Sequence, residues 1–116
     1  MPIKNFLDKK PVEEACHGGE GKIKIVNIFD KELSAPLSFV HYTVLPPGTS
    51  IGLHTHENNQ ELYIILEGCG VTELDGEKRQ VKKGDVLLNK PFGAHSLFNL
   101  SDSEELKILV LEAGLI

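Results

Sequence analysis

The fold of this chain is constrained most by its short apolar runs, which a turn signal interrupts every eight to twelve residues on average. Ile23 to Phe29 alternates apolar and polar positions, and Phe39 to Leu45 is β-branched and aromatic until Pro46-Pro47-Gly48 stops it. Leu62 to Leu66 is continuously apolar and ends before Gly68. Val71 to Leu74 and Glu77 to Val81 flank Asp75-Gly76, a two-residue hairpin signal. Val86 to Leu88, His95 to Leu100 and Leu106 to Leu111 complete the set, the last following the solvated acidic turn Ser101 to Glu105. No long stretch favours the helical period of 3.6 over the strand period of 2, so the pattern predicts an all-β sandwich or barrel.

The 116 residues suffice for one hydrophobic core and not two. The first fifteen or so are polar and mixed and read as an arm or a short helical turn, which divides the chain into an arm (1–20) and a single barrel domain (21–116). His17-Gly18-Gly19-Glu20-Gly21 is glycine-rich, but a strand run follows it and no Lys-Ser/Thr pair does, so it reads as a turn or bulge rather than a phosphate loop. A formal net charge of -5 without a Lys/Arg-rich run argues against nucleic acid or an anionic membrane as partner. No segment approaches the ~18 consecutive apolar residues of a membrane span, and the opening residues lack the apolar stretch of a signal peptide. Cytoplasm is the expected location, with Cys16 and Cys69 as free thiols.

Chemistry concentrates in His54, His56, Glu61 and His95. In an extended segment His54 and His56 project from one face, Glu61 opens the next apolar run, and barrel closure can bring His95 opposite. Three imidazoles and one carboxylate suit one divalent ion of Zn, Mn, Fe, Ni or Cu, and on an octahedral ion they leave two positions open. The spacing Gly48-x5-His54-x-His56-x4-Glu61-x6-Gly68 resembles the first conserved motif of the cupin superfamily. Gly84-Asp85, Pro91-Phe92-Gly93-Ala94-His95 and Asn99 resemble the second, except that Pro91 and Gly93 each stand one position late. The resemblance implies a cupin double-stranded β-helix, a small jelly-roll barrel with the metal inside, and members of this size commonly pair as homodimers. Leu62, Ile64 and Leu66 face one way and Tyr63 and Ile65 the other, so that strand is apolar on both faces and needs cover on both.

Tyr63 shares a face with Glu61 and is read either as a catalytic phenol near the metal or as a core aromatic. His41, in the preceding strand, is read as a proton shuttle or a structural histidine. Phe92 and Phe98 line the mouth or pack the core, Asn99 bonds backbone or a ligating group, and His17 is not expected to be a ligand. The function expected is that of a metal-dependent enzyme acting on a small molecule, of dioxygenase, isomerase or decarboxylase type. The alternatives are a non-catalytic module that binds or senses a small ligand, and a purely structural metal. Because metal binding requires neutral imidazoles, affinity should fall below about pH 6.5.

Overall fold

A computed structural model describes residues 2–114. Ten strands follow a 3-10 turn at Phe6–Asp8: β1 (Val12–Glu14), β2 (Ile23–Phe29), β3 (Leu37–Leu45), β4 (Ser50–Thr55), β5 (Asn59–Glu67), β6 (Cys69–Leu74), β7 (Glu77–Lys82), β8 (Val86–Asn89), β9 (Ala94–Phe98) and β10 (Leu106–Gly114). They form two facing sheets of order β1-β2-β3-β10-β5-β8 and β4-β9-β6-β7, every pairing between them antiparallel. The all-β jelly-roll expectation holds. At Asp75-Gly76 the register closes with Leu74 opposite Glu77, and both turn residues have positive φ (49° and 84°), as the right-handed strand twist requires of a two-residue loop.

Alternation explains the core. Leu45, Ile65, Leu97, Leu106 and Ile108 point between the sheets and are 0–2% exposed. A second cluster lies on the outside of the six-stranded sheet, where Val26, Ile28, Tyr42 and Val44 are covered by Phe6 of the N-terminal segment. Phe6 packs on Tyr42 with ring centroids 4.3 Å apart. β5 is apolar on both faces as anticipated: Tyr63 and Ile65 enter the core, and Leu62, Ile64 and Leu66 stand half-buried outside. The first residues also supply a short strand, β1, which pairs with β2 and has too few apolar residues to be read from the chain.

Two loop readings are sharpened. β9 ends at Phe98, and Asn99 turns the chain away: its buried amide donates to the carbonyls of Leu45 (2.9 Å) and Glu104 (2.7 Å). Leu100, read as part of that strand, is instead 70% exposed. Phe92 takes positive φ (63°) and is exposed, so the late Pro91 and Gly93 produce a loop that turns this ring out of the core.

Candidate metal centre

The metal-ligand candidates come from three strands and one loop. β4 and β9 pair with Ile51 opposite Leu97 and His54 opposite His95, which leaves one extra residue in β4 between those pairs. That bulge reverses the alternation, so His54 joins Ile51 on the inward face despite the odd number of steps between them. His56 lies just past the end of β4, where its backbone N–H donates to the Gly93 carbonyl (3.1 Å). Glu61 enters from β5 on the same face as Tyr63 and Ile65.

One ligand atom from each of His54, His56, Glu61 and His95 lies within 4.8 Å of all the others. Glu61 Oε1 is 2.9 Å from His56 Nε2 and 3.4 Å from His95 Nε2, and the two Nε2 atoms are 3.3 Å apart. Ligand bonds of about 2.1 Å at right angles put neighbouring donors about 3.0 Å apart, so the cluster has the size of one coordination sphere. The outer nitrogens agree with this. His54 Nδ1–H donates to the Gly52 carbonyl (2.8 Å), and His56 Nδ1–H donates to Asn59 Oδ1. With those protons on Nδ1, each Nε2 would be free to present a lone pair to a bound ion. The residues present therefore fit a divalent ion.

Charge favours the same state. Burial pushes the His54 imidazole down to about 4, so the ring is neutral at physiological pH. Burial alone would raise the Glu61 carboxyl, but hydrogen bonds and charge from His95 and His56 more than offset it and hold its pKa below the ordinary value. Metal-free protein should accordingly lose stability as pH falls from 6.5 toward 4. Across that window the unfolded chain protonates His54 and the folded chain does not, so protons favour unfolding. His54→Gln should flatten this part of the slope, as read from urea midpoints at pH 7, 5.5 and 4. Identical slopes would remove His54 as the cause.

Tyr63 is 2% exposed, and its phenol oxygen is 3.2 Å from His95 Nε2. Burial and the Glu61 charge hold its pKa well above the usual tyrosine value, so it carries its proton. His41 points inward opposite Val110, stacks on Phe39 at 4.0 Å, and is lowered by burial. It lines a cavity of about 210 Å³ together with Glu14, Cys16, His17, Glu61 and Tyr63.

Several neighbours of the centre are not among the residues expected there. His17 stacks face to face on His54 (centroids 3.6 Å, 12° between planes), so it touches a candidate ligand without being in the candidate cluster. Cys16 faces the same cavity, its thiol pushed up to about 11 mainly by burial. Glu112 lies directly across β10 from Glu61, its carboxyl raised by burial and by that like charge. Asn89 is Glu61's partner on the other side, in β8; it is 2% exposed and its amide finds no partner among the described residues. Period-2 counting from Ile108 and Val110, or from Leu87, does place these last two side chains inward.

Among the described residues, no helix is long and apolar enough to cross a membrane. Residues 41–112 match the family described as Cupin domain. The chain is 35% identical over 97 residues, 81% of its length and 80% of the relative's, to an oxalate-binding protein of Thermotoga maritima. It superposes on the crystal structure of a "predicted oxalate decarboxylase" from Thermotoga maritima with TM-score 0.93 at 30% identity, covering 97% of this chain and 99% of the other. The plu4264 protein of Photorhabdus luminescens shares the fold, with TM-score 0.76 at 18% identity over 96% of this chain and 86% of the other. With a family match over more than half its length, this chain belongs to the cupins.

Proposed function

We propose that this chain holds one divalent metal ion on His54, His56, Glu61 and His95, and that it binds and turns over a small carboxylate that chelates the ion. The observation that carries this reading is the set of Nε2 and Oε1 atoms crowded to 2.9–3.4 Å around one point, with the Nδ1 protons of His54 and His56 tied elsewhere. The names of the Thermotoga maritima relatives, one oxalate-binding and one a predicted oxalate decarboxylase, support a ligand of the oxalate class. When bound, the ion would supply Lewis-acid stabilisation of charge on two ligand oxygens.

The chain's own residues would do the rest. Tyr63, kept protonated and within 3.2 Å of His95, would donate a hydrogen bond at the centre, and His41 would pass protons along the cavity wall. Decarboxylation of oxalate replaces its carbon–carbon bond by a carbon–hydrogen bond, giving carbon dioxide and formate, and so consumes the one proton such groups can deliver. Among the three reaction types compatible with the fold, the relatives' names favour this one. The second reading, a binding module without turnover, is favoured by the name of the oxalate-binding relative.

Elemental analysis of protein purified without added metal or an affinity tag tests the centre, with about one equivalent of a divalent transition metal expected. Incubating the loaded protein with oxalate then separates the readings. Formate detected by mass spectrometry marks an enzyme, and thermal stabilisation without product marks a binder. Absence of metal from protein that also fails to take up Zn, Mn or Fe would refute both.

The arm (1–20) packs on the barrel (21–116) in this reading, and the barrel pairs with a second copy. Support comes from the outer face of the six-stranded sheet, where Leu62, Ile64, Leu66, Leu109 and Leu111 stand beside Val86 (60% exposed) and Leu88 (47% exposed). A stable pair needs about 800 Å² of such surface per partner. Ile64 sits in the middle, opposite Leu109 on one side and Val86 on the other. Ile64→Lys should therefore shift the mass measured by light scattering from twice the chain to once. An unchanged mass would place any pairing elsewhere.

A further inference from the structure

Charge at the cavity bears on which carboxylate is held. Beyond Glu61 and Tyr63 the cavity of about 210 Å³ has an apolar side made by Ile23, Ile25, Phe39, Ile51 and Val110 and a polar side with Cys16, His17, His41 and Thr43, and among the described residues neither lysine nor arginine lines it. Its remaining formal charge is Glu14, and Glu112 stands opposite Glu61 on the neighbouring strand. A divalent ion together with the Glu61 carboxylate carries a net charge of +1. A chelating monoanion brings this to zero, whereas a dianion leaves a net negative charge that no lysine or arginine of the cavity offsets, with part of it against the apolar side, which is disfavoured.

We infer that, among the small chelating carboxylates proposed above, the one for which this cavity is shaped is a 2-oxo monocarboxylate with a short apolar tail, and that oxalate, the ligand the relatives' names suggest, is the poorer fit here. The inference rests on the metal-centre reading above. Both ligands close the same five-membered chelate ring, one oxygen from each of two adjacent carbons. A 2-oxo acid carries one charge and sends an alkyl group toward Ile25, Phe39, Ile51 and Val110. Oxalate sends two charged oxygens instead.

The test uses full-length protein loaded with Mn(II) and calorimetric Kd values for oxalate, pyruvate, 2-oxobutanoate and 2-oxopentanoate, with the same ligands measured against free Mn(II). In water oxalate is the stronger chelator, because it presents two full carboxylates. On the protein the expected order is reversed, with affinity rising about fourfold for each carbon added to the 2-oxo acid tail. Phe39→Arg, at a half-buried position of β3, supplies the missing cation. It should tighten oxalate relative to 2-oxopentanoate by tenfold or more. Oxalate keeping its free-solution advantage on the wild-type protein, or a flat pyruvate-to-2-oxopentanoate series, overturns this inference and leaves the metal centre standing. Protein that holds Mn(II) but binds none of the four ligands overturns the carboxylate reading as well, and protein that holds no metal overturns the centre.

Discussion

Protein carrying both His56→Ala and His95→Ala should lose stoichiometric metal, with affinity weakened by more than a thousandfold, or about 4 kcal/mol. The two Nε2 atoms are 3.3 Å apart and each lies within 3.4 Å of Glu61 Oε1, so the double change removes half of the donors at one point. What remains, His54 and Glu61, is a pair that many protein surfaces could offer. Stability should report the same loss. An ion that binds only the folded state at a thousand times its Kd stabilises by about 4 kcal/mol, so a chelator should lower the wild-type melting temperature and leave the variant's unchanged. Metal content by elemental analysis and melting curves with and without chelator check both. Retention of one equivalent of metal by the variant would mean that the ion lies elsewhere.

Gly52→Ala should be nearly as damaging although it touches no ligand atom. A Cβ at this position would lie 2.1 Å from the His17 carbonyl oxygen and 2.8 Å from the Gly19 nitrogen, both backbone atoms that cannot rotate away. Gly52 also donates its N–H to the Cys16 carbonyl (3.0 Å) and accepts the Nδ1 proton of His54 through its own carbonyl (2.8 Å). Pushing the 16–19 loop outward therefore loosens the bulge that turns His54 inward and lifts His17 from its face. A loss of about 3 kcal/mol is expected, together with weaker metal binding, on the order of tenfold. Gly48→Ala is the control: its φ is +75° and a Cβ there meets nothing within 4 Å, so backbone strain alone costs about 1 kcal/mol. Denaturant melts of the metal-free proteins separate the two. Equal losses at both positions would rule out the clash at Gly52 as the cause.

Much of this architecture is legible without coordinates because period-2 alternation and turn chemistry are local. The Asp75-Gly76 hairpin and the double-faced β5 strand both follow from residues close in the chain, whereas the partners of Asn99, the Leu45 and Glu104 carbonyls, do not. The candidate ligands are legible for another reason. Imidazole and carboxylate are the side chains that coordinate such an ion, and their spacing matches a family pattern.

Local pattern does not reach the site's geometry. His54 faces inward only because β4 carries an extra residue between the Ile51 and His54 pairings, and that register is set by β9, a distant segment. His17 reaches the centre by stacking on His54, which nothing in its glycine-rich surroundings announces; alternation turns Glu112 and Asn89 inward, but only the pairing of β10 and β8 with β5 sets them opposite Glu61. The chain by itself thus determined most of the strands, the core and the residue types able to hold a metal, since those depend on side-chain chemistry and near neighbours. Tertiary structure decided which atoms meet, which charges face each other and how much room a ligand has, since these depend on pairings between strands far apart in sequence.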